Sequence, residues 1–296
     1  MKRRTFLQIL LSAGSAATLG GLSFSTMARK HTRPEPSLDP DVLQEDITSP
    51  LIPDNDSHIK DNLDKIRDFD RDFDDDIFIS DAKFDILKAT NQRLLKVKRA
   101  VGSGNFGIIS YDEILKYAAY HSSIEKFTQN ERELIEELFF EDASKYGFLG
   151  KKVLKGLTDL VPKKELVKIP GTGQYLFKGE ANALFEKVKK DIGSTIMLTS
   201  GVRSIVKQAE LFFTKVIYSR GSLSRASRSL APPGYSYHGA GDFDVGKMGL
   251  GEFNFTEKFA ETEEFRKLIQ LGYLDIRYDM RNREGVRYEP WHIKVI

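Results

Sequence analysis

The spacing of apolar residues changes several times along the chain, and each change marks a segment. Residues 1–28 open with basic residues and continue as a weakly apolar stretch diluted by Gly, Ser, Ala and Thr. Residues 29–80 hold few large apolar side chains, carry Pro34, Pro36, Pro40, Pro50 and Pro53, and end in the acidic run from Asp68 to Asp76, a composition that predicts a linker. From Asp81 the spacing becomes helical: Phe84, Ile86, Leu87, Leu94, Leu95 and Val97 line one face of an amphipathic helix that Gly102-Ser-Gly104 should end. Two more helices are predicted over 110–122 and 130–146, with Ser110 and Glu113, then Thr128 and Asn130, as start signals. Residues 81–160 therefore read as a small helical module. Beyond residue 165 the pattern predicts a helix over 180–190, a strand over 195–199, a helix after Ser204 and short β-type runs from 240 to the end. The expected fold of 165–296 is α+β, a small, mostly antiparallel sheet with flanking helices.

Charge and composition narrow the chemistry. The 45 Lys and Arg against 43 Asp and Glu leave a formal charge of +2, so no global field points to nucleic acid or an anionic membrane. Cysteine is absent, which excludes disulfides, thiolate metal sites, iron–sulfur clusters and a lipoprotein anchor. Any metal must rest on carboxylates and on the five histidines, His31, His58, His121, His238 and His292. The alternating acids Asp68, Asp70, Asp72 and Asp74 lack the central Gly and closing Glu of a calcium loop, and read as a solvated acidic segment. Arg3 and Arg4 ahead of the weakly apolar stretch resemble a twin-arginine export signal, with a cut after Ala28. That resemblance implies transient contact with the twin-arginine export machinery and a mature protein in the periplasm or outside the cell. The apolar core falls short of the roughly 20 residues a span needs, so no stable membrane span is expected in the mature chain.

The residues able to do chemistry gather near the C-terminus. APPGYSYHGAGDFDVG, residues 231–246, sets His238 on a turn rich in Gly and Pro and follows it with a short alternating strand. Asp242 and Asp244 share one face of that strand, and spacing does not choose between them. In GVRYEPWHIKVI the β-branched and aromatic residues favour a strand holding Glu289, Trp291 and His292. Positions 289 and 292 face opposite ways on an ideal strand, so a site using both needs irregular backbone, which Pro290 allows. Two His and one Asp make a three-ligand site with a fourth position open, the arrangement of catalytic zinc. Glu289, beside a ligand, suits the general base.

SYHGAGDFDVG and YEPWHIKV resemble the two signatures of the VanY-like D-alanyl-D-alanine carboxypeptidases, in the LAS group of zinc peptidases. Ser236, His238 and Gly241 match the first signature, S-x-H-x-x-G-x-A-x-D, but one residue is missing before the acid. Aligning Asp244-Val-Gly246 with the family's Asp-Ile-Gly puts Asp244 in the ligand place, with Asp242 as its competitor. Glu289, Trp291 and His292 match the second signature, and Ser200-Gly-Val-Arg-Ser204 resembles a third, S-G-Y-R-S. The resemblance implies a LAS/hedgehog-like peptidase fold, Zn2+ held by His238, Asp244 and His292, Glu289 as base and Arg203 as a charge stabiliser. Peptidoglycan stem peptides ending in D-Ala-D-Ala are the implied substrate.

Ser236, Tyr235 and Gln208 are weaker candidates for substrate contacts, and Trp291 reads either as a platform or as packing that fixes His292. The basic residues from Arg203 to Arg228 read either as attraction for an anionic wall fragment or as solvated helix-face charge. The helical module carries no chemical motif: His121 reads as a surface or boundary residue. Tyr111, Tyr117, Tyr120 and Phe127 at helical spacing read as core before they read as a glycan-stacking face. Two other readings stay open: a LAS-group peptidase cutting another peptidoglycan bond (L,D-carboxypeptidase, D,D-endopeptidase or dipeptidase), and a non-catalytic wall-binding protein.

Overall fold

The computed structural model describes residues 55–295, so the export signal expected over 1–28 lies outside the described residues. Helix α1 spans Asn55–Arg67 and α2 spans Asp81–Val101. A short turn of helix, α3 (Ser103–Phe106), leads to α4 (Tyr111–Tyr120) and α5 (Gln129–Phe140). The expected starts at Ser110 and Thr128 are capping boxes, Ser110 with Glu113 and Thr128 with Glu131, each side chain bonding the other's backbone N–H, whereas Asn130 lies inside α5 and caps nothing.

The segment expected as a linker differs from that reading once the description begins. It forms α1 and then a strap tied to the chain about residue 225. Arg228 holds Asp76 at 2.6 Å, and Arg225 reaches Asp70 at 3.1 Å and Asp72 at 3.2 Å. Backbone bonds add to this, from Ile79 N to Gly221 O and from Leu223 N to Ile77 O, each 2.9 Å. The acids looked like a solvated run because their partners lie far away in sequence. The same pairs account for Arg225 and Arg228 without an anionic ligand.

The C-terminal part contains strands β1 (Leu166–Lys168) and β2 (Tyr175–Phe177), paired antiparallel, then α6 (Glu180–Ile192) and β3 (Ile196–Ser200). After these come α7 (Ile205–Tyr218), α8 (Leu223–Ser227), β4 (Phe243–Lys247), α9 (Glu263–Gln270) and β5 (His292–Ile293). Strands β3, β4 and β5 make an antiparallel sheet with β4 in the middle. The architecture is α+β with small antiparallel sheets and flanking helices, as expected.

Two large apolar clusters and a small one of Ile108, Leu166 and Val202 hold the described residues together. One of the large clusters joins Phe185 and Val188 of α6 to Leu198, Phe243, Val245 and Ile293 of the sheet and to Leu268 of α9. The other joins Leu87, Leu94 and Val97 of α2 to Val206, Ala209, Phe213 and Val216 of α7. The N-terminal helices therefore share a core with α7 and are packed against the segment that follows β3. Tyr111 and Phe127 are buried in that second cluster, while Tyr120 is exposed.

Candidate active site

The register of the three-stranded sheet assembles the centre of the site. Asp244 on β4 pairs across one edge with Ser200 of β3, after an irregularity between Leu198 and Ser200, and across the other edge with His292 of β5. His238 enters from a 3-10 turn, Tyr237–Gly239, laid against the loop after β3: Arg203 N donates to His238 O at 3.3 Å. Gly201 lets strand β2 lie close against the same loop, since a Cβ there would stand 2.0 Å from the Tyr175 carbonyl oxygen.

His238 Nε2 lies 3.2 Å from Asp244 Oδ1, and His292 Nδ1 lies 3.1 Å from the same oxygen. The ligand atoms of these three residues all fall within 4.8 Å of one another. All three side chains are buried, and both His238 Nε2 and Asp244 Oδ1 are buried with no hydrogen-bond partner.

The outer atoms of both rings are occupied, and this decides where the lone pairs point. His238 Nδ1 is 2.8 Å from the Gly201 carbonyl, which can only accept, so Nδ1 carries the proton and Nε2 faces inward bare. Burial holds His238 down to about 4, so the ring is neutral. On His292, Nε2 meets Asp242 Oδ2 at 3.0 Å, leaving Nδ1 toward the centre. Burial works against charging that ring, but the bond to Asp242 and the negative charge of the Asp244 carboxylate outweigh it and raise it to about 9. Without a metal, a proton on His292 supplies the positive charge between the two carboxylates. A divalent cation meets the same need, and two imidazole nitrogens with one carboxylate oxygen are a donor set suited to it.

Glu289 stands beside this centre, its Oε2 3.8 Å from His292 Nδ1. His292 N donates to Glu289 O at 3.1 Å, so the irregular backbone that the pair requires is a turn immediately before β5. Burial pushes the Glu289 carboxyl up to about 7, which suits a group that takes and returns a proton near neutral pH. Arg203 fixes the far oxygen of Asp244, with Nη2 to Oδ2 at 2.6 Å and Nε to Ser200 Oγ at 2.9 Å. These groups open into a cavity of about 460 Å³, whose lining includes Lys98, Lys207 and Tyr278.

Residues 176–296 match the family model described as VanY: D-alanyl-D-alanine carboxypeptidase. This part of the chain is similar to a VanY-type carboxypeptidase domain. Among solved structures, the chain is similar to a point mutant of the vancomycin-resistance D,D-pentapeptidase VanY from a VanB-type cassette in complex with Zn(II). The identity is 23%, over 46% of this chain and 82% of that one, with a TM-score of 0.36. It is also similar to VanYB in complex with D-alanine-D-alanine, at 24% identity over 45% of this chain and 77% of that one, with a TM-score of 0.37. A comparison with curated proteins finds no match.

Within the VanY-like domain, the residues singled out in the sequence fall into three groups. His238, Asp244, His292, Glu289 and Arg203 come together. Ser236, Gln208 and Trp291 line the same cavity, where Gln208 Nε2 donates to Ala231 O at 2.5 Å and its Oε1 is buried without a partner. Trp291 belongs to the sheet's apolar cluster and stands edge-on to Phe255, so it packs the strand that carries His292 as well as facing the cavity. Tyr235, expected at the substrate, is elsewhere: it is buried in the helical core against Phe148, and its hydroxyl donates to Glu141 O at 3.3 Å. The turn Pro232–Tyr235 points its ring away from the cavity, and side-chain direction in a turn has no period to read.

Asp242, which competed for the ligand place, sits behind His292. It accepts from Arg277 Nε at 2.6 Å, from the Val295 backbone N–H at 2.9 Å and from His292 Nε2 at 3.0 Å. These bonds hold its carboxyl down at about 2 against the penalty of burial. Arg277, the Gly201 carbonyl and Tyr278, whose ring centroid is 5.1 Å from that of His292, were missed in the sequence because no local pattern ties them to the site.

Proposed function

We propose that this protein is a zinc-dependent D-alanyl-D-alanine carboxypeptidase that removes the terminal D-Ala from peptidoglycan stem peptides. One observation carries the reading: His238 Nε2, Asp244 Oδ1 and His292 Nδ1 converge from three chain segments, with the first two buried and unpartnered. His238, Asp244 and His292 are the proposed zinc ligands, with Asp242 and the Gly201 carbonyl orienting the two rings. A zinc ion bound there supplies Lewis acidity, acidifying water and polarising the scissile carbonyl.

The chain's own groups supply the remainder. Glu289 takes a proton from the attacking water and returns it to the departing D-Ala amine, acting as base and then as acid. Its raised affinity for a proton, caused by burial, matches both halves of that task. Arg203 holds Asp244 in place, and its guanidinium at the cavity wall stabilises negative charge as the carbonyl is attacked. Residues 81–160 and the export signal over 1–28 remain part of the proposal, as a helical module and an address to the periplasm or beyond. Among the described residues no helix is long and apolar enough to cross a membrane.

Glu289→Gln tests the assignment. It is expected to lower turnover of an acyl-D-Ala-D-Ala peptide by about 10²- to 10⁴-fold, the worth of a positioned base, with zinc content unchanged. Retained turnover would remove Glu289 from the mechanism. Incubation of the zinc-loaded protein with pentapeptide, tetrapeptide and crosslinked muropeptides, followed by mass spectrometry, identifies the bond: free D-Ala from the pentapeptide alone supports the D,D-carboxypeptidase.

A further inference from the structure

The cavity into which the metal-ligand cluster opens is lined in part by residues from outside 176–296. Helix α2 runs antiparallel to α7, tied by Asn91 Nδ2 to Thr214 Oγ1 at 3.0 Å and by Lys98 Nζ to both oxygens of Glu210, at 3.2 and 3.3 Å. After α2, the turn that carries α3 docks on the loop bearing Arg203: Ser204 N donates to Gly107 O at 2.8 Å. Lys98, Ser103 and Gly107 thereby become part of the lining shared with His238, Asp244 and Glu289.

Glu210 also takes Lys207 Nζ, at 2.7 Å. One carboxylate, almost wholly buried, thus serves two ammonium groups that are only partly covered and border the cavity. One positive charge is left over at the cavity wall. Burial lowers the Lys207 ammonium to about 8, with Glu210 opposing that shift and Lys98 adding to it. A structural ion pair across α2 and α7 needs one lysine; the second gives the cavity wall a charge that an anion inside the cavity would satisfy.

We propose that Lys98 and Lys207 form an anion-reading corner of the cavity that takes a carboxylate of the peptide substrate, making Lys98 a specificity-determining residue supplied by the N-terminal helices. The inference rests on the carboxypeptidase reading above. The carboxylate has two possible sources, the free C-terminus of the peptide or an acidic side chain upstream of the D-Ala pair.

The test uses the zinc-loaded full chain and two probes. The first is a diacetylated Lys-D-Ala-D-Ala peptide, whose only carboxylate is terminal; the second is a pentapeptide with a diaminopimelate residue at its third position, which adds a side-chain carboxylate. Lys98→Met is expected to raise KM, and the peptide Kd measured by calorimetry, by about tenfold or more, the worth of one charge-assisted bond, with kcat within about twofold. Lys98→Arg is expected to recover most of the loss. A rise on both probes assigns the corner to the C-terminal carboxylate, and a rise on the second alone assigns it to the side chain. Unchanged KM and Kd on both, with only a lower Tm, would make Lys98 a structural pair with Glu210 and overturn the inference while leaving the carboxypeptidase reading intact. Failure of the wild type to bind or cleave either probe would overturn both.

Discussion

Arg93 and Glu131 lie buried between α2 and α5 and satisfy each other. The guanidinium Nε reaches both carboxylate oxygens, at 3.1 and 2.9 Å, and Nη1 reaches the Glu125 carbonyl at 2.8 Å. Glu131 also accepts the Thr128 backbone N–H at 2.7 Å. Around Asp244 the same degree of burial produces the opposite condition. Asp244 Oδ1 and the bare His238 Nε2 face each other 3.2 Å apart, and what positive charge the cluster has in the absence of a metal is the proton on His292, whose Nδ1 lies 3.1 Å from the same oxygen. In the helical region opposite charges are matched within the chain, and the matching serves packing. In the sheet region metal-binding groups are gathered and their outer atoms braced, which costs stability unless a proton or a metal cation sits among them. Burial alone does not separate structure from function; the sign and saturation of the buried groups do.

The largest expected effect breaks the second arrangement. Asp244→Asn should weaken zinc binding by more than about 100-fold, beyond what outer-shell partners are usually worth, and remove hydrolysis with it. Metal content after dialysis against a graded chelator series measures this, and a variant that retains full zinc would exclude Asp244 as a ligand. Breaking the first arrangement should do the reverse. Arg93→Met leaves Glu131 buried and unpaired, at about 3–5 kcal/mol of folding stability, while zinc stoichiometry and KM stay as in the wild type. Denaturant unfolding alongside metal analysis checks it, and lost zinc in a folded Arg93→Met protein would mean that the two regions are coupled.

Much of this contrast could be read from the chain. The helical spacing from Phe84 to Val97 and the start signals at Ser110 and Thr128 are local, and they appear as α2 and as two capping boxes. His238, His292 and Glu289 could be singled out because histidine is scarce and a resemblance covered the segments that carry them. What could not be read depends on distant partners. Asp76 looked solvated because Arg228 is remote in sequence, and nothing drew notice to Lys98 because its partner Glu210 belongs to a different element. Tyr235 was misplaced because a turn rich in Pro and Gly sets its own side-chain direction. Asp242 and Asp244 were inseparable for a physical reason: both do face His292, one at each ring nitrogen.

That last pair yields the subtlest prediction. Asp242 makes His292 a better ligand by accepting its Nε2 proton, but it also makes Nδ1 a better base, so zinc and a proton compete for one lone pair. In the metal-free protein His292 holds its proton up to about 9. Zinc binding below that pH must expel the proton, so wild-type affinity should climb with pH, by about tenfold per unit across the neutral range. Asp242→Asn lowers the ligand's basicity and removes part of the competition together. The variant should bind zinc about 10- to 100-fold more weakly near pH 9, where competition is slight, and the deficit should narrow as the pH falls toward 7. Zinc affinities from a competing chelator between pH 7 and 9 give both curves. A deficit of constant size would mean that Asp242 positions the ring without tuning its charge. No deficit at any pH would confine Asp242 to its bonds with Arg277 and Val295, and leave His292 oriented by β5 alone.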